Sequence, residues 1–215
     1  MPLATYDDLL AAVTSWNFGD TALPPADLVT LAEARLNRDL RLRAMETEDA
    51  LAGVAGARAI ALPAGFLEPL GLWLNRPGTG REALRFVEPD MEVSLAAGEP
   101  AYWTIDAGTA AFERPCDQAY GFTLRYVKAF QLAEAAPTNW LLSTWPDAYL
   151  AACNVEAALF TQDAAALQSW QARYAEAVAA IRLKDGRSKA PATLGLDPAL
   201  RRRPRGGSFD ITRGC

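Results

Sequence analysis

The hydrophobic period of this chain changes twice, and that change limits the folds open to it. Apolar residues recur at helical spacing up to about residue 43. From 58 to 130 they alternate, or form short runs between Gly, Pro and Asp turn signals, and helical spacing returns from 138 to 184. A strand-period stretch will not sit as a helix, nor the reverse, so the chain is neither all-helical nor all-β. The expected class is α+β: a helical bundle built from the N- and C-terminal helices, with an inserted antiparallel β region and an extended C-terminal tail.

The expected helices span 5–17, 24–43, 138–142, 145–161 and 163–184. Thr5 can cap the first, with Asp8 at the third helical position, where its charge suits the helix dipole. Pro24 and Pro25 open the second. Its apolar stripe reads Leu28, Leu31, Leu36 and Leu40, with Glu33, Arg35, Arg38 and Asp39 on the wetter side. Asn139 begins a short helical turn with Trp140, and Pro146 takes an early position in the alanine-rich helix that follows. The last helix carries Leu167, Trp170, Tyr174, Ala177, Val178 and Ile181 on one face.

Candidate strands are 58–62, 67–74, 83–87, 101–106, 109–113 and 121–130. Tight turns fall at Arg76-Pro-Gly-Thr-Gly and at Asp106-Ala-Gly, the second a hairpin signal. Beyond Lys184 the periodicity stops. Gly186, Pro191, Gly195, Pro198, Pro204, Gly206 and Gly207 interrupt every window, and the segment has too few apolar residues for a core of its own. The layout is thus a body, 1–184, and an extended basic tail, 185–215.

Charge separates the same two parts. The chain has a net charge of −5, yet residues 185–215 hold seven Lys/Arg against three Asp, a net of +4, which leaves −9 on the body. An acidic body repels a nucleic-acid backbone, whereas the tail can approach one, or an acidic protein surface. Arg201, Arg202, Arg203 and Arg205 are the candidates for charged contacts in it, with Leu194, Leu196, Leu200, Phe209 and Ile211 as apolar anchors.

Little in the composition favours catalysis. The chain contains no His, the commonest general base and zinc ligand. Cys116, Cys153 and Cys215 are odd in number and widely spaced, so they define neither a disulfide framework nor a CxxC metal site. No serine has a G-x-S-x-G setting, and the glycines at 78 and 80 lack the strand-to-helix context of a phosphate loop. Glu46, Glu48 and Asp49 read as a solvated loop. The six Trp residues lie mostly on apolar stripes of the acidic body, which favours core or subunit contacts over base stacking. No cofactor and no metal are expected, and the chain is not expected to be an enzyme. No apolar run approaches the roughly 18 residues of a membrane span, and the first residues lack the pattern of a signal peptide.

Five motifs then occur in order: Leu31-Ala-Glu-Ala-Arg-Leu-Asn-Arg-Asp-Leu-Arg-Leu-Arg43, Leu62-Pro-Ala-Gly-Phe-Leu67, Gly98-Glu-Pro-Ala-Tyr-Trp-Thr-Ile105, Pro137-Thr-Asn-Trp-Leu-Leu142 before Trp145-Pro-Asp-Ala-Tyr-Leu150, and Trp170-Gln-Ala-Arg-Tyr174. Together they resemble the tailed-phage head-to-tail adaptor family over roughly residues 3–184. The positions that carry the resemblance are Glu33, Arg35, Asn37, Arg38, Asp39, Asn139, Trp140, Pro146, Asp147, Trp170, Arg173 and Tyr174.

The resemblance implies a virion structural protein, assembled in the host cytoplasm as a dodecameric ring below the portal. Such a ring extends the DNA channel, helps retain the packaged genome and carries a tail or nozzle protein on its distal face. Implied partners are the portal protein, neighbouring adaptor subunits, that tail component, and DNA passing through without sequence recognition; no membrane is involved. Family adaptors commonly grip the portal with an extended C-terminal segment. An alternative, from the residues alone, is a nucleic-acid-binding accessory protein that uses the arginine tail on phosphates.

Overall fold

The computed structural model describes residues 3–189 except Phe18, Asp20, Thr21, Pro77, Thr79 and Met91. Helix α1 (Tyr6–Trp16) starts at Thr5, whose hydroxyl accepts from the Asp8 amide at 3.2 Å while the Asp8 carboxylate accepts from the Thr5 amide at 3.1 Å. This reciprocal box satisfies two amides that a helix start leaves without intrahelical partners.

Helix α2 (Pro25–Asp39) stops four residues earlier than the periodicity suggests. Leu40 is extended, and Leu40 and Leu42 are both buried while Arg41 and Arg43 are exposed. Continued helix would rotate Leu42 off the buried face, so extended backbone is what brings both leucines inside. The helix face is also turned from the expected stripe. Leu31 is 52 % exposed, whereas Val29, Ala32 and Glu33 join Leu28 and Leu36 in the interior.

A single 3₁₀ turn (Arg43–Met45) leads into β1 (Glu46–Gly53). The acidic run at Glu46, Glu48 and Asp49 is therefore an edge strand and not a loop. Strands β2 (Ala59–Ala61), β3 (Phe66–Arg76), β4 (Gly80–Ala83), β5 (Arg85–Phe86), β6 (Tyr102–Asp106), β7 (Thr109–Phe112) and β8 (Tyr120–Lys128) follow. They form two four-stranded sheets, ordered β1-β8-β3-β4 and β2-β7-β6-β5.

Among the described strands the pairings are antiparallel, as expected of the inserted region, except that β5 runs parallel to β6. The stretch expected as one strand at 83–87 changes sheets at Leu84. The Leu84 amide bonds to Leu72 O at 2.9 Å, and the next amide, Arg85, bonds to Ala101 O at 3.0 Å. Leu84 is buried between the sheets, and its burial favours the crossing.

Hairpin β6–β7 closes on Ala107 and Gly108, both at positive φ (44° and 77°), as a two-residue hairpin turn of this twist demands. In β3, Pro69 brings no N–H where β8 is the strand's neighbour, β4 pairing only Trp73 to Arg76, and the register with β8 shifts between Pro69 and Gly71.

Two cores result. One lies between the sheets and includes Leu72, Trp103, Phe112, Phe122, Leu124 and Tyr126. The other is shared by the helices of both chain ends: α1, α2, α3 (Trp140–Thr144), α4 (Pro146–Phe160) and α5 (Ala164–Lys189). Strand β8 serves both, since Phe122, Leu124 and Tyr126 face the sheet core while Val127 enters the helical one.

Helix α4 is central, buried from Ala148 to Val155 and packed by every other helix. Its alanines let neighbouring backbones approach closely. The stripe read on α5 lies against it, with Tyr174, Ala177, Val178 and Ile181 buried and Leu167 and Trp170 at the margin. Helix α5 does not end at 184. It runs through Gly186 to Lys189, because one glycine costs a helix only about 1 kcal/mol relative to alanine. Asp185 is also engaged, accepting from the Arg43 amide at 3.2 Å. The helix thus takes in the first five of the residues expected in the tail, 185–189.

Candidate functional site

Glu33, expected on a wet face, is 6 % exposed and sits at the centre of a polar lock. Its Oε1 accepts from the Leu132 amide at 2.6 Å and from the Tyr149 hydroxyl at 2.7 Å. Asn139 reaches the same hydroxyl, its Nδ2 donating to it at 2.9 Å, while its Oδ1 caps α3 at the Leu142 amide (2.8 Å). Burial pushes the Glu33 carboxyl above its ordinary value, and the two hydrogen bonds oppose that shift. Burial and the neighbouring carboxylate raise the Tyr149 phenol, which keeps it a donor.

The rest of the α2 motif ties this helix to its neighbours. Asn37 pairs with Phe130 as one strand does with another: its Nδ2 donates to Phe130 O at 2.9 Å and its Oδ1 accepts from Phe130 N at 3.1 Å. Trp140 meets the Phe130 ring edge-on, centroids 5.6 Å apart. Arg35 bonds Glu156 of α4 at 2.7 Å. Asp39 accepts from the Tyr174 hydroxyl of α5 at 2.5 Å, and the Arg182 guanidinium donates to its carbonyl. Of Glu33, Arg35, Asn37, Arg38 and Asp39, Arg38 is the exposed one.

Pro146, Asp147, Trp170 and Arg173 come together elsewhere, around a cleft of about 580 Å³ between α1, α4 and α5. Leu3, Leu150, Ala151, Ala177 and Ala180 supply apolar surface, and Glu176 stands with Asp147 among its acidic residues. Trp16, 51 % exposed, meets the Trp170 ring edge-on at 5.4 Å. On Trp170 the Arg173 guanidinium also rests, 5.0 Å from the ring centroid.

The remaining candidates have structural settings. Glu46 and Glu48 form ion pairs with Arg125 (2.6 Å) and Arg81 (3.1 Å), and Asp49 accepts from the Tyr126 hydroxyl at 2.6 Å, which together with burial pushes that phenol up to about 12. Gly78 and Gly80 belong to the β3–β4 hairpin. Cys116 and Cys153 are buried free thiols. Trp103 is buried between the sheets, Trp73 lies under Arg81, and Trp145 under Lys184. Among the described residues no group of acidic or Cys side chains is arranged to hold a metal, and no helix is long and apolar enough to cross a membrane. Leu194, Leu196, Leu200, Arg201, Arg202, Arg203, Arg205, Phe209 and Ile211 lie outside the described residues.

Sequence reasoning missed Tyr149, the donor that completes the lock, and Glu156, the partner of Arg35. Each lies more than a hundred residues from its partner, and only an unexplained polar residue within a buried alanine-rich helix hinted at them.

Polar side chains thus cross-brace the helices, and an open cleft lies on the helical side. Residues 4–197 match the family described as SU10 adaptor protein, and the chain belongs to that family of phage head-to-tail adaptors. No curated protein matches the chain.

Proposed function

We propose that this adaptor forms a ring below the portal of a tailed phage, extends the DNA channel and connects the capsid vertex to tail components. The helices of the two chain ends form the bundle that makes up the ring wall, and residues 190–215 attach it to the portal through Arg201, Arg202, Arg203, Arg205 and the apolar residues around them. The observation that carries this reading is the family match across 4–197, nearly the whole described body.

Two features support it. The ties from α2 to α4, to α5 and to the segment after β8 give a wall that transmits load without shearing between helices. The net charge of −9 before residue 185 repels DNA and keeps a passing genome from adhering. A single C-terminal segment pays the cost of ordering and binds weakly, and ring closure multiplies the contacts.

The test is the mass of the purified full chain, alone and mixed with its cognate portal, beside a variant with the four arginines replaced by Glu. A saturating ring on the portal, lost in the variant, is the expected result. Unchanged attachment of the variant removes the arginines from the interface. No portal binding, with salt-dependent binding to DNA instead, would favour the accessory-protein alternative.

A further inference from the structure

We infer that in the free chain residues 194–205 lie in the cleft between α1, α4 and α5 of the same molecule. The cleft is an open apolar groove, walled on one side by α5 through Trp170, Ala177 and Ala180. That same helix delivers the C-terminal segment, because its last residue, Lys189, lies about 14 Å beyond Ala180 along the helix axis. Extended, residues 190–194 span about 17 Å, enough to turn back and bring Leu194 to the Ala180 end. From Ala180 to Trp170 is about 15 Å of helix. The run from Leu194 to Leu200 covers about 20 Å, so Leu196 and Leu200 fall along the apolar wall.

Charge agrees with this direction. Residues 190–215 hold five arginines against Asp197 and Asp210, and the groove presents Asp147 and Glu176 against the single cation among its described residues, Arg173, which rests on Trp170. At its far end the half-exposed Trp16 offers a ring to the arginines that follow Leu200, as Trp170 already does to Arg173. The short connection favours the chain's own groove over a second copy, since tethering holds the segment at an effective concentration on the order of millimolar.

Docking of this kind covers the apolar and basic residues of the segment before any partner is present. It goes beyond the adaptor reading, and only the release of the segment to the portal rests on that reading.

Hydrogen exchange of the full-length protein without portal tests it. Amides between 194 and 203 are expected to exchange about tenfold or more slowly than those of an unstructured peptide. Ala180→Trp, which fills the groove, and the surface pair Asp147→Lys with Glu176→Lys should each restore fast exchange there while the α4 and α5 core amides stay protected. If Ala180→Trp perturbs the core, the lysine pair alone decides. Fast exchange in the unaltered protein overturns the inference, as does protection that survives the variants or that rises with protein concentration, the sign of a second copy. None of these results depends on whether the portal binds.

Discussion

The Tyr149 hydroxyl of α4 donates to the Glu33 carboxylate of α2 at 2.7 Å, and this bond joins helices from the two ends of the chain across the inserted sheets. Tyr149→Phe leaves the ring packing in place but removes one of the two donors to a buried carboxylate, and strands Asn139 Nδ2 as well. A hydrogen bond to a charged group contributes about 1.5–3 kcal/mol, so a loss of that order is expected in urea unfolding, with little change in slope.

Glu33 also gives a pH dependence of definite sign. Its folded carboxyl titrates above its ordinary value, so the native state holds the proton longer than the unfolded chain does. The burial penalty is absent below the unfolded value and grows as pH rises through the folded one. Glu33→Gln should therefore gain stability relative to the parent protein as pH rises from below the ordinary carboxyl value to above the raised folded one. Parallel unfolding curves across that range check it; a constant difference would show that the carboxyl titrates normally.

Arg35 and Glu156 form an ion pair whose side chains are 27 % and 11 % exposed. Removing Arg35 leaves a largely buried carboxylate without its cation. Arg35→Ala should therefore destabilise more than the ~0–1 kcal/mol of an exposed pair. In a double-mutant cycle with Glu156→Gln the second change should cost little once the first is made.

At the β6–β7 turn Ala107 occupies the left-handed region at φ 44°. Left-handed backbone costs a non-glycine residue about 1–2 kcal/mol, and Asn tolerates it better than Ala. Ala107→Asn is expected to raise stability by about 0.5–1 kcal/mol, read as a higher melting temperature. Its neighbour Gly108 should behave oppositely, Gly108→Val being destabilising.

Much of the local structure was legible in the sequence. The Thr5 cap, the Asp106-Ala-Gly hairpin, the alternation of β8 and the apolar face of α5 all appear as read. The acidic strand β1 did not, because Glu46, Glu48 and Asp49 look solvated until Arg125, Arg81 and Tyr126 lie across from them. The crossing at Leu84 escaped for a similar reason. A run of strand-forming residues carries no mark of the point at which it leaves one sheet for another.

The sequence by itself determined the class, helices at both ends around a β insertion, since hydrophobic period is a local property that propensity and turn chemistry reinforce. It determined the family as well, through motifs whose order survives in one dimension. Only the tertiary structure decided what those motif residues do. Glu33, Arg35 and Asp39 read as the wet side of a helix, yet with Asn37 they are the braces that tie α2 to its neighbours. A polar side chain in a helix is equally suited to water or to a distant donor, and its partner is named only when the chain closes over it.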